Sequence, residues 1–131
     1  MKRQFDLPSE DAEYLDARQQ DWETIKDGDN RWVIIHRFPI PAGYNQTETS
    51  VALLLQASYP DVQIDMAYFH PPLARVDAKG IRNLSDQPLD GKVWQRWSRH
   101  RPADAWRPGI DNIETHLLYV TAFLEQELQK P

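Results

Sequence analysis

Between positions 22 and 69 the chain alternates short β-branched and aromatic runs with brief turns of Asp, Asn, Gly and Pro. That rhythm favours an antiparallel meander over a parallel sheet, because parallel strands need long crossover connections. Residues 22–26 alternate apolar and polar, and Asp27-Gly28-Asp29-Asn30 supplies a turn. Residues 31–38, Arg-Trp-Val-Ile-Ile-His-Arg-Phe, make a second strand that Pro39 and Pro41 end. Ala42-Gly43-Tyr44-Asn45 turns the chain into a third strand over residues 49–57. Tyr59-Pro60-Asp61 turns it again into a fourth over residues 62–69, whose alternation is clean.

Helices flank this sheet. Residues 1–7 read as a short tail. Ser9, with Glu10 and Asp11 in the first turn, opens a helix to about Arg18 that lies as a lid on the sheet edge. At the other end, Asp111 as N-cap and Glu114 three residues on form a capping-box pattern. Ile113, Leu117, Val120, Leu124 and Leu128 follow at helical spacing, widened by Leu118 and Phe123, and this stripe is expected to pack across the sheet. Phe69-His70-Pro71-Pro72-Leu73 is a fixed irregular exit, since proline denies ladder donors. Residues 74–93 read as a long loop or insertion with at most one short strand or turn. The expected fold is α+β: a four-stranded antiparallel meander with a short N-terminal and a long C-terminal helix packed on it. At 131 residues it is one domain, 1–131.

Composition narrows the function. With no cysteine, disulfides, cysteine–zinc sites and a thiolate nucleophile are excluded. The four histidines, at 36, 70, 100 and 116, lack ligand spacing, so neither a metal nor a cofactor is expected. No apolar leader or membrane-length run occurs, which points to a soluble, cytoplasmic protein without a membrane partner. A net charge of −5 argues against general nucleic-acid affinity. The charge is polarised, with residues 6–29 acidic and residues 92–107 basic, which suggests two different faces.

The basic part coincides with the densest chemistry in the chain. Residues 94–109 hold Trp94, Trp97 and Trp106, three of the five tryptophans, together with Arg96, Arg99, Arg101, Arg107, His100 and the hydroxyl of Ser98. No regular period fits this stretch, so it reads as an irregular loop pinned by large side chains. A pinned loop can hold one polar group in place, and Ser98 is the candidate.

The order of motifs resembles the ubiquitin-conjugating-enzyme fold. Tyr59-Pro60 precedes the fourth strand, His70-Pro71 follows it, and Ser98 stands eight positions before Trp106-Arg107-Pro108. In that fold the catalytic cysteine stands at this spacing before a Trp-Ser-Pro element, so the resemblance makes Ser98 its counterpart and Trp106 the counterpart of that tryptophan. The chain is most similar to the bacterial proteins called family E. The residues carrying that similarity are Leu7-Pro8-Ser9-Glu10-Asp11, Pro39-Ile40-Pro41-Ala42-Gly43-Tyr44, Tyr59-Pro60-Asp61, Trp97-Ser98-Arg99-His100 and Trp106-Arg107-Pro108-Gly109, spanning about residues 7–128. It implies partnership with a ubiquitin-like protein, an adenylating enzyme and often a metalloprotease that processes the modifier. The chain departs from the wider family in lacking cysteine and in placing Pro71-Pro72 where a His-Pro-Asn motif would continue. Its gap from His70 to Ser98 is also longer than usual.

On this reading Ser98 accepts the modifier's C-terminus as an oxyester and passes it to an amine. A hydroxyl is a poor nucleophile and needs a base. His100 is the nearest by sequence, and His70 could return to the site as its counterpart does. Asp104 could orient a histidine or desolvate an attacking lysine. Arg96, Arg99 and Arg101 could stabilise an oxyanion or dock an acidic partner, with Trp97 and Trp106 anchoring the segment. Two alternatives stay open. One is an inactive scaffold that binds a ubiquitin-like protein or adenylating enzyme. The other, less favoured, is single-stranded nucleic-acid binding through interleaved Arg and Trp.

Overall fold

The computed structural model describes residues 1–18, 20–102 and 104–131. Its elements run α1 (Ser9–Ala17), β1 (Trp22–Asp27), β2 (Asn30–Pro39), β3 (Glu48–Leu55), β4 (Ala67–His70), β5 (Leu84–Leu89), β6 (Lys92–Trp97) and α2 (Ile113–Glu127). The strands form one sheet of order β1-β2-β3-β4-β6-β5, antiparallel throughout.

The α+β architecture and the antiparallel pairing are as expected, but the sheet has six strands, not four. The two additional strands lie where a long loop and an irregular segment were expected. Leu84–Leu89 and Lys92–Trp97 form a hairpin closed at Asp90-Gly91, where both residues have positive φ. Such a two-residue turn matches the right-handed strand twist, and Asp-Gly is a favoured sequence for it. The hairpin inserts by β6, which pairs with β4, and leaves β5 at the edge, where Pro88 is tolerated. Trp94 and Trp97 are therefore strand residues rather than loop anchors. The fourth strand is also shorter than its alternation suggests. Met66 has φ 61°, and regular pairing begins only at Ala67.

Both helix starts differ from expectation. Pro8, not Ser9, occupies the cap position of α1, with no side-chain cap. The α2 cap is Asn112, whose side chain accepts the Thr115 N–H at 3.1 Å while the Thr115 hydroxyl accepts the Asn112 N–H at 2.9 Å. Asp111 instead accepts the Arg107 N–H at 2.7 Å, tying the preceding turn to the helix.

Two apolar clusters lie on opposite faces of the sheet. The larger joins Leu15 of α1 and Ile113, Leu117, Val120, Phe123 and Leu124 of α2 to Val33, Ile35, Val51, Leu53, Phe69 and Trp97. Each such side chain contributes about 1.5–3 kcal/mol when fully buried. Leu15 is fully buried within it, so α1 is part of the core rather than a lid on the sheet edge. Asp11 fastens the two helices, accepting the Ile113 N–H at 3.2 Å and the Tyr59 hydroxyl at 2.7 Å. The second cluster, Ile25, Trp32, Ile34, Ala52, Tyr68, Leu89 and Trp94, contains no helical residue. Residues 2–5 run beside β1, where the Gln4 N–H donates to the Thr24 carbonyl and the Thr24 N–H donates to the Lys2 carbonyl.

Candidate functional site

Ser98 follows β6 directly. Its backbone N–H donates to the Asn83 carbonyl at 3.0 Å, which holds the residue against the segment leading into β5. It is half-buried, and its hydroxyl bonds none of the described residues.

Two residues on, His100 Nδ1 lies 2.7 Å from Asp65 Oδ2. An ionised carboxylate only accepts hydrogen bonds, so Nδ1 carries the proton and Nε2 is left as the basic nitrogen. The His100 side chain is 63% exposed and that of Asp65 23%, so Nε2 can meet a solvent-borne group. The other Asp65 oxygen accepts the Arg101 backbone N–H at 3.3 Å. Asp65 thereby fixes both a side chain and the backbone beside Ser98. Sequence reasoning missed it, because it occupied a polar position of an expected strand. The distortion at Met66 breaks that strand and frees Asp65 to turn toward the segment after β6.

The arginines of this segment are occupied. Arg101 donates from Nε to the Ile64 carbonyl at 3.2 Å and from Nη2 to His116 Nδ1 at 2.9 Å, and its guanidinium lies 4.5 Å from the Tyr119 ring centre. Since arginine only donates, His116 Nδ1 is bare and its Nε2–H donates to the Met66 carbonyl at 2.8 Å. Burial, aided by the Arg101 charge, drives the His116 pKa down to about 4, so it stands neutral. Arg99 Nη2 bonds Glu127 Oε1 at 3.0 Å near the end of α2, and its guanidinium lies over Trp97. Arg96 Nη2 touches Met66 Sδ at 3.5 Å, while its buried Nε has no hydrogen-bond partner among the described residues.

Trp106 Nε1 donates to the Pro60 carbonyl at 2.9 Å, and its ring packs against Tyr59. Trp97 is buried among Phe69, Tyr44 and Phe123. These contacts pin both ends of the segment, and Arg101 and Asp65 pin its middle. Asp104 is exposed, with φ 65°, and its carboxylate bonds none of the described residues.

His70 is not brought to Ser98. Ala67 pairs with Trp97, which places His70 opposite Trp94, four positions back along β6. At strand spacing that is about 13 Å. Its Nδ1 donates to the Val93 carbonyl at 3.1 Å. The structure thus joins Asp65 to His100 and to the Arg101 backbone, two and three residues beyond Ser98 in the chain.

No helix is long and apolar enough to cross a membrane among the described residues. No curated protein and no solved structure matches the chain. A family model does, over residues 7–127, and its description is prokaryotic E2 family E. That span takes in α1, the whole sheet, the segment carrying Ser98 and all of α2, and the chain belongs to this family of ubiquitin-conjugating-like proteins.

Proposed function

We propose that this protein carries the C-terminus of a ubiquitin-like modifier as an oxyester on Ser98, taking it from an adenylating enzyme and passing it to an amine of a target. A metalloprotease of the same pathway would expose the modifier's C-terminus beforehand. The observation that supports a chemical role over a purely scaffolding one is the exposed His100–Asp65 pair. A histidine oriented by a carboxylate, with its second nitrogen open to solvent, is the arrangement general-base catalysis uses. In this reading His100 Nε2 removes a proton from the Ser98 hydroxyl during loading and from the attacking amine during transfer. Family membership supports the partners in general terms, a ubiquitin-like protein and an activating enzyme.

The step balances simply. The Ser98 oxygen bonds the activated carbonyl carbon, the bond to the adenylate phosphate breaks, and the hydroxyl proton passes to His100. Arg99 and Arg101 hold the segment in shape, and in this reading the basic balance of residues 92–107 favours an acidic partner surface. In the same reading the exposed Asp104 meets an incoming lysine.

The test is intact mass after mixing the protein with adenylating enzyme, processed modifier and ATP. One adduct is expected that survives reductant, falls to mild alkali and vanishes in Ser98→Ala. Absence of any adduct with an active adenylating enzyme, accompanied by tight binding to the same partners, would favour the scaffold.

A further inference from the structure

On the sheet face away from α2, three polar side chains stand in a row. Glu23 of β1, His36 of β2 and Ser50 of β3 share the strand parity of Ile25, Ile34 and Ala52, which belong to the second apolar cluster. The His36 ring lies between the other two, with Nδ1 2.7 Å from Ser50 Oγ and Nε2 2.7 Å from Glu23 Oε2. Glu23 Oε1 also accepts the Lys2 backbone N–H at 3.2 Å. Burial pushes the Glu23 carboxyl up, but the hydrogen bonds from His36 and Lys2 outweigh it and hold the carboxyl below its ordinary value.

The proton positions follow. An ionised Glu23 can only accept, so His36 Nε2 bears the hydrogen. When that is the ring's one proton, Nδ1 is an acceptor and the Ser50 hydroxyl donates to it. That gives a serine with a base on its hydroxyl and a carboxylate behind the base. The ring nitrogens exchange roles relative to the serine-protease arrangement, but the chain of bonds is the same. A polar cluster that only satisfied itself could be sealed. This one is not: the His36 side chain is 25% exposed, that of Glu23 16%, and Ser50 is half-buried. His70 is in register with Ser50 and so faces the same side, with the Trp94 ring 5.6 Å from its own. His70 Nδ1 is held on the Val93 carbonyl at 3.1 Å.

We propose that Ser50, His36 and Glu23 form a second nucleophilic site, independent of Ser98, that takes the acyl group of an activated carboxylic ester. Ser50 Oγ bonds the acyl carbon while its proton passes to His36 Nδ1. The carbon–oxygen bond to the leaving alcohol breaks, and the alkoxide takes that proton. Water then attacks the acyl-serine by the same proton route and releases the acid. Glu23 is a positioning residue, acting through His36.

The experiment exposes the full-length protein to a phosphonofluoridate probe, followed by intact mass and peptide mapping, and measures nitrophenol release from 4-nitrophenyl acetate before and after labelling. The expected result is one phosphonyl group on Ser50, with phosphorus–fluorine cleavage, and a drop of at least about tenfold in nitrophenol release. No adduct, an adduct on another residue, or release indifferent to labelling would overturn the proposal. Mapping on the wild type decides this even if Ser50→Ala fails to fold. Ser85→Ala, at an exposed serine of β5, serves as the control and should label like the wild type. Glu23→Gln tests the positioning role. Its amide can donate to Nε2 and so leave the ring proton on Nδ1, facing Ser50. Labelling slowed about fivefold or more, with an unchanged melting temperature, supports the role, and an unchanged labelling rate overturns it.

Discussion

Asp65 divides its two oxygens between His100 Nδ1 and the Arg101 backbone N–H, so one carboxylate sets both the tautomer of His100 and the path of the chain after Ser98. An amide at this position could instead donate to Nδ1 and shift the ring proton to Nε2, the nitrogen that the proposed mechanism uses as base. We therefore expect Asp65→Asn to lower the rate of modifier loading by about 10²-fold, the lower range for loss of a positioned general base. Its urea midpoint should change little, because His100 is exposed and the pair contributes little to stability. Single-turnover loading with the adenylating enzyme in excess measures the rate. A loading rate equal to wild type would remove His100 from the chemistry. The sequence offers His100 as a candidate through its nearness to Ser98 alone. Asp65 was not legible there, because its alternation with Ile64 and Met66 reads as a strand until the positive φ at Met66 breaks it.

At the level of elements, the cap of α2 is a similar case. Asp111 and Glu114 have the spacing of a capping box, yet the helix starts one residue later, where Asn112 and Thr115 exchange hydrogen bonds. Asp111 is drawn away by the Arg107 N–H, a competition that only the folded turn reveals. Replacing Asn112 by Ala should cost about 1 kcal/mol, as loss of a side-chain cap usually does. Asp111→Ala should loosen the turn at Arg107 without removing the α2 cap. Equilibrium urea unfolding separates the two, and an Asn112→Ala protein as stable as wild type would refute the cap. The β5–β6 hairpin was legible in principle. Leu89-Asp90-Gly91-Lys92 carries the Asp-Gly signal of a two-residue turn. It was masked because Pro88 and the mixed charge of residues 82–92 imitate a loop, and an edge strand tolerates both. The strands over residues 22–55 were legible because each is a short run of buried apolar residues, many β-branched or aromatic, between turns, whereas β5 is largely exposed.

Across the whole molecule, both helices pack on one face of the sheet, and the segment after β6 is tied to the core through neutral His116. With its pKa near 4 in the folded protein against about 6.5 unfolded, His116 takes up its proton far more readily in the unfolded chain. Between those values the unfolded state binds more protons, so His116 makes stability rise with pH from about 4 to 6.5. The full effect is on the order of 3 kcal/mol. Asp11 acts with the opposite sign, because burial raises its pKa and protonation then favours the folded state. Urea titrations across this window should show a positive slope that His116→Gln flattens, and a slope unaffected by that substitution would contradict the assignment. The same core holds Ser98 at the end of β6, and the most direct test of its role as acyl carrier is a change of bond type. In a loading reaction with adenylating enzyme, modifier and ATP, the Ser98→Cys protein should form an adduct that reductant cleaves, where the wild-type adduct resists it. A Ser98→Cys adduct that resists reductant as the wild-type adduct does would place the modifier on another residue and contradict the account.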